Sequence, residues 1–228
     1  MKPLALITGV GPGTGSSVAR RFASAGYRTA LIARDAARLD ALARELPEAM
    51  ALPCDVTNPV ALADAVREAG PAEVVVHNAV GGAWGSFLEI DPAVLETNFQ
   101  VNVMALLHLA RLTTPSMIEA GRGSLIVTGN TSALRGRARF AGFAPTKAAQ
   151  RILAESMARE LGPKGVHVAY LVIDAVIDVP WARKQMSEKP DDFFVKPAAI
   201  ADEVFHLVGQ DRSSWSFYAE VRPFGETW

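Results

Sequence analysis

Between Thr8 and Gly15 the chain reads Thr-Gly-Val-Gly-Pro-Gly-Thr-Gly, a spacing of small residues that suits the cradling of a phosphate. Glycines let a backbone come close to a pyrophosphate, and the helix expected next would turn free N–H groups and its positive dipole end toward it. A tight strand-to-helix turn would use similar residues. The strand before and the apolar-faced helix after, carrying Val18, Ala19, Phe22 and Ala23, favour the dinucleotide site, with Thr8, Gly9, Gly11, Gly13, Thr14 and Gly15 as its candidate residues. Pro12 removes one N–H from the cradle and stiffens it. A second segment, Phe143-Ala144-Pro145-Thr146-Lys147, sets a phenyl ring four residues before a lysine. A phenyl ring has no ionisable proton, so no acid–base step can run through position 143.

These groups need a scaffold, and the rest of the chain supplies a pattern for one. Short apolar runs at Leu4–Thr8, Arg28–Ala33, Met50–Cys54, Glu73–His77, Ser124–Gly129, Val166–Ile173 and Ser216–Val221 read as strands. Amphipathic segments at Gly15–Ala25, Ala36–Leu46, Pro59–Glu68, Pro92–Ala120, Gly142–Leu161 and Pro197–Gly209 read as helices. Strict alternation of the two implies a parallel sheet covered on both faces, and no linker or repeat divides residues 1–228 into more than one domain. With 228 residues, 50% hydrophobic and 21% charged, and a net charge near −1, the chain gives no footprint for nucleic acid or an acidic membrane. Cys54, the lone cysteine, allows no intrachain disulfide and no metal cluster and predicts a reducing, cytoplasmic compartment. The run at Leu4–Thr8 is too short for a secretory signal, and no apolar run is long enough to span a bilayer.

With its motifs in order, the chain resembles the short-chain dehydrogenase/reductase family from Thr8 to about Pro223. Thr8-Gly9, Gly13 and Gly15 match the family's Thr-Gly-x-x-x-Gly-x-Gly; Asp55-Val56 looks like its adenine-contacting Asp-Val; and His77-Asn78-Ala79-Val80 resembles its Asn-Asn-Ala-Gly. Asn102 matches the helix asparagine that organises a proton-relay water in the family, and Lys147 matches the lysine that holds the nicotinamide ribose. The resemblance implies an α/β fold: one doubly wound Rossmann domain with a seven-stranded parallel sheet and helices on both faces. It also implies hydride transfer between a nicotinamide cofactor and a small carbonyl or alcohol, and a homodimer or homotetramer formed through the two long helices.

The departures from that pattern fall on the reacting oxygen. Phe143 stands where the family has its catalytic tyrosine, and Asn130, thirteen residues earlier, stands where it has a serine. Thr131 and Ser132 follow, with local backbone bonding as the plainer use of their hydroxyls. Asn130 can polarise a carbonyl but cannot transfer a proton at neutral pH. Tyr27, Tyr170 and Tyr218 precede no lysine at the required spacing, so a shift of register does not restore the motif. After the sixth strand, Asp174-Ala175-Val176-Ile177-Asp178-Val179 replaces the family's Pro-Gly-x-x-x-Thr, leaving the Ile177 backbone as the partner for a carboxamide.

Cofactor choice turns on Ile32-Ala33-Arg34-Asp35. By resemblance Ala33 takes the position of the acid that binds the NAD ribose, and Arg34 follows it, which favours NADP(H) over NAD(H). Asp35 reads as the N-cap of the next helix. Residues 178–196, with Trp181, Phe193 and Phe194, fall where the family carries a substrate lid. Trp84 is either a pocket wall or a loop aromatic packed on its own chain, and Arg135, Arg137 and Arg139 read as a solvated stripe by default, with an anion-recognising rim as the alternative. Trp215, Phe217, Tyr218, Phe224 and Trp228 suit either a subunit contact or the closing of the core. Two functions remain: an NADP(H)-dependent oxidoreductase with an atypical site, and a nucleotide-binding protein that has lost redox chemistry and acts as a sensor or partner subunit.

Overall fold

The computed structural model of the chain describes residues 2–225, so Trp228 lies outside the described residues. Among the described residues nine strands are present: β1 (Leu4–Thr8), β2 (Arg28–Ala33), β3 (Ala49–Pro53), β4 (Val74–His77), β5 (Gly123–Gly129), β6 (Val166–Ile173), β7 (Val176–Ile177), β8 (Phe194–Val195) and β9 (Tyr218–Val221). Eight helices join them: α1 (Thr14–Ser24), α2 (Ala36–Glu45), α3 (Pro59–Ala69), α4 (Pro92–Phe99), α5 (Ala105–Ala120), α6 (Ala144–Leu161), α7 (Pro180–Gln185) and α8 (Pro197–Val208). Seven strands form one sheet in the order β3-β2-β1-β4-β5-β6-β9, every pairing parallel. This is the α/β fold read from the alternation of strand and helix.

Both faces of the sheet are buried, as a parallel sheet requires. Successive residues of a strand point to opposite sides. Leu6, Val75, Leu125 and Val168 therefore join one core, under α3, α5 and α6. Ile7, Val76, Ile126 and Ala169 join the other, under α1, α2 and α8. The strand order reverses between β1 and β4, which opens a crevice at the carboxyl ends of those two strands, where open α/β sheets take their ligands.

Helix starts follow their sequence signals. Asp35 accepts from the Arg38 backbone N–H at 3.0 Å to cap α2, Asn58 caps α3, and Asp91 caps α4, with proline opening both α3 and α4. The segment expected as one helix over Pro92–Ala120 is broken at Gln100–Met104 by a π-turn, in which the Ala105 N–H reaches back to the Gln100 carbonyl. No glycine or proline marks that turn. Its cause is the packing of Asn102, described below. Among the described residues no helix is long and apolar enough to cross a membrane.

Candidate functional site

The glycine turn is shaped by three contacts. Gly9 has φ +70°, and a Cβ there would lie 2.5 Å from the Ala79 nitrogen, so only glycine lets β1 and β4 meet at the crevice. A Cβ on Gly15 would lie 2.5 Å from the Gly9 carbonyl oxygen, and one on Gly13 would lie 2.7 Å from Val179. Gly11 faces open space. The turn is braced by the Ser16 hydroxyl, which donates to the Gly11 carbonyl at 2.5 Å, and by Asn78, whose Nδ2 donates to the Gly9 carbonyl at 2.8 Å.

Around this turn lies a cleft of about 890 Å³ that extends past the ends of β2 and β3 to Gly82 and Trp181. Thr14 lines it at the N-terminus of α1, and its buried hydroxyl has no hydrogen-bond partner within the chain. A buried hydroxyl left unpaired is costly, and an anion at this helix end would satisfy it. The cradle therefore fits the pyrophosphate of a dinucleotide.

At the far end of the cleft, Arg34 and Arg38 are both exposed. Both carboxylate oxygens of Asp35 are engaged by Arg38: one accepts from its backbone N–H and the other pairs with its guanidinium, each at 3.0 Å. Asp35 is thus the helix cap and not a free acceptor beside Ala33. Asp55 closes its own turn by accepting from the Thr57 N–H at 2.9 Å and hydroxyl at 2.8 Å. Those bonds, led by the backbone one, and the nearby Arg34 charge hold its carboxyl below the usual range.

Behind Gly82 the polar residues close on one another. Asn102, held in the π-turn, accepts from the Gly81 N–H at 3.0 Å and donates to the Gly81 carbonyl and the Thr146 hydroxyl, both at 2.8 Å. This grip on the loop after β4 accompanies the π-turn, and such turns recur at functional sites. Lys147 donates to the Thr128 carbonyl at 3.1 Å and to the Gln150 side-chain oxygen. Gln150 in turn donates to the Asn102 carbonyl at 2.7 Å. Lys147 is 2% exposed, and burial without a carboxylate lowers its pKa to about 7. His77 is fully buried, bonds the Thr8 hydroxyl at 3.1 Å, and is pushed down to about 3 by burial first and by Lys147 second.

Phe143 is buried at the N-cap of α6, its ring 3.0 Å from where a Cβ on Gly82 would stand. Trp84 tilts over it at 5.8 Å and meets Phe140 edge-on at 6.4 Å, which makes Trp84 a loop aromatic packed on its own chain even though it is largely exposed. Asn130 accepts from the Ser132 N–H at 3.1 Å to cap the short turn Thr131–Ala133. It takes no part in the Asn102–Lys147 circuit. Neither position 143 nor position 130 presents a group that transfers protons at neutral pH.

The segment after β6 folds against the cleft. β7 pairs with β8, Val179 packs on Gly13, and Trp181 reaches the cleft mouth, 59% exposed. Arg183 holds both oxygens of Asp178, at 2.7 and 2.8 Å, and Asp191 at 2.5 Å, with its guanidinium 4.1 Å from the centre of the Phe194 ring. Arg135 and Arg137 are exposed, and Arg139 pairs with Glu89 at 3.7 Å. Among the C-terminal aromatics, Trp215 stacks on His167 and Phe217 packs against the core, whereas Phe224 is exposed.

Sequence reasoning gathered the glycine turn, Ile177, Asn78, Asn102, Lys147 and, in the lid segment, Trp181, and missed Thr128, Thr146, Gln150 and Arg38. For Gln150 a signal existed: a polar residue one helical turn beyond Lys147, on a helix face that has to be buried.

The model of the short chain dehydrogenase family matches residues 3–189. The chain belongs to this family. A D-erythrulose reductase of Gallus gallus is 35% identical over 165 residues, covering 72% of this chain and 67% of the relative. An L-xylulose reductase of Bos taurus is 29% identical over 220 residues, 92% of this chain and 90% of the relative. The solved structure of a metagenomic short-chain oxidoreductase in complex with NADP superposes with a TM-score of 0.84 at 29% identity, covering 98% of both chains.

Proposed function

We propose that the chain is an NADP(H)-dependent oxidoreductase acting on a small carbonyl or alcohol, with an atypical catalytic wall. The observation that carries this reading is the buried, unpaired hydroxyl of Thr14, a residue that lines the cleft at a helix N-terminus beside the open Gly11. When bound, the cofactor supplies or accepts the hydride. Thr8, Gly9, Gly11, Gly13, Thr14 and Gly15 cradle its pyrophosphate, Asp55 and Val56 border the adenine, and Asn78 and Ala79 hold the loop against it. Arg34, with Ala33 leaving room and Asp35 already occupied, meets a 2′-phosphate. Support for NADP(H) also comes from the relative solved with NADP, and support for a small carbonyl substrate from the erythrulose and xylulose reductases.

On the catalytic side, Lys147 holds the nicotinamide ribose, the Ile177 backbone pairs with the carboxamide, and Asn102 fixes the loop at Gly81. Asn130, whose amide oxygen caps its turn, orients the substrate oxygen through its amide nitrogen. The proton comes from water or from the substrate itself, since Phe143 has none to give. Residues 178–196 form the lid, held down by Arg183. Exposed Leu112, Ile118 and Ile152 on α5 and α6 support a homodimer or homotetramer, and the cytoplasm is the proposed location.

The closed wall favours a second reading, a nucleotide-binding sensor or partner subunit without redox turnover. Turnover of NADPH with a broad panel of carbonyl compounds decides between the two. Phe143→Tyr, alone or with Asn130→Ser, is expected to raise carbonyl reductase activity at least tenfold, a modest part of what general acid catalysis can supply. If neither variant reduces diketones or quinones faster than the parent, Phe143 is not the site of the chemistry.

A further inference from the structure

Gln150 is fully buried, and both ends of its carboxamide are used. The nitrogen caps the Asn102 carbonyl within the π-turn, and the oxygen accepts from the Lys147 amine and, at 3.3 Å, from the Tyr170 hydroxyl. A carboxamide can donate to a carbonyl and accept from an amine at the same time, and it does so without charge. Leucine here would leave the amine and the carbonyl short of partners in a dry interior. Glutamate would set a carboxylate on the lysine.

We propose that Gln150 is a positioning residue that pins the Lys147 amine between β5 and the Asn102 carbonyl and, being uncharged, leaves that amine free to gain or lose its proton. This rests on the reading of the cleft as a dinucleotide site only where cofactor affinity is concerned. The other groups facing the amine do not compete for that proton. On β4 His77 stays neutral, on β6 burial holds Tyr170 protonated well above its ordinary range, and Thr128, Thr146 and Asn102 do not ionise. Arg151, the next residue on α6, acts on Tyr170.

The test follows Lys147 by NMR in cofactor-free protein labelled with ¹⁵N-lysine, the signal being assigned with Lys147→Met. In Gln150→Glu the midpoint is expected at least one pH unit above the parent's, a tenfold change in ionisation constant, because the new carboxylate favours the ammonium. In Gln150→Leu the amine protons are expected to exchange with solvent at least tenfold faster. A parallel NADPH titration across pH should move with the Lys147 midpoint in Gln150→Glu. If neither midpoint nor exchange changes in either variant, Gln150 does not position the lysine. If Gln150→Glu fails to fold, the exchange rate in Gln150→Leu decides. A responsive Lys147 in protein that binds no NADPH keeps the role of Gln150 and removes the cofactor reading; NADPH binding with an unresponsive Lys147 does the reverse.

Discussion

At the glycine turn, groups that could bind a ligand face the cleft: the Thr14 hydroxyl has no partner in the chain, Gly11 borders open space, and Arg34 is exposed. Behind Gly82 the same kinds of groups are spent on each other, with Asn102 on Gly81 and Thr146, Lys147 on Thr128 and Gln150, and Asn130 on Ser132. The two regions share one sheet, yet one is arranged to receive and the other to hold still. On the proposed reading, cofactor recognition and proton transfer are separable: the first would depend on backbone approach and a helix terminus, the second on the side chains at positions 143 and 130.

The comparison breaks most completely at Gly9. Gly9→Val puts a branched side chain at φ +70° and against the β4 backbone, with an expected loss of about 3 kcal/mol of stability or more, together with NADPH binding. Urea unfolding and a binding titration of the same preparation measure both. Wild-type stability, or retained binding, would mean that the approach of β1 to β4 does not shape the cradle.

On the closed side, Lys147 gives a pH signature. Its folded-state pKa lies near 7, while in the unfolded chain a lysine keeps its proton to about pH 10. Between those values the unfolded state binds more protons, so stability from this group rises with pH by about 1.4 kcal/mol per unit and is lowest below pH 7, where the amine enters the interior charged. Unfolding of the parent at pH 7 and pH 9 should show a gain of about 2 kcal/mol that is missing in Lys147→Met. Equal slopes in the two proteins would place the charge of Lys147 in contact with water.

Thr14→Val sharpens the contrast, because the two readouts should move in opposite directions. Removing an unpaired buried hydroxyl leaves stability unchanged or slightly raised, while NADPH affinity falls about tenfold for the lost bond to a charged phosphate. Calorimetry and thermal melting report the two. Loss of stability without loss of affinity would assign the hydroxyl to the fold. The smallest effect is at the rim: Arg34→Ala is expected to weaken NADPH by about 1 kcal/mol, less at high salt, and to leave NADH nearly unchanged. Equal weakening of both cofactors would remove Arg34 from cofactor selection.

The strands, most helices and the glycine turn were legible because each is signalled locally, by apolar runs, by caps such as Asp35 and Asn58, and by glycines at 9, 13 and 15. The break at Gln100–Met104 was not, because nothing in those five residues disfavours an α-helix; the bonds from Asn102 to a loop twenty-one residues earlier bring it about. Strands β7 and β8, two residues each, are too short for periodicity to reveal. Asn130 was placed by counting back from Phe143, and that count does not show the turn it caps, which follows a local preference of asparagine. Gln150 required knowing that α6 faces the π-turn. The glycine turn was written in neighbouring residues, and the contacts around Lys147 were written in residues far apart in the chain.

Whether the cleft is a working NADP(H) site beside a closed catalytic wall is decided by calorimetric titration of the purified protein with NADPH and NADH in parallel. Micromolar binding of NADPH with NADH at least tenfold weaker is the predicted result. Binding of neither would contradict it and leave the glycine turn as a structural remnant.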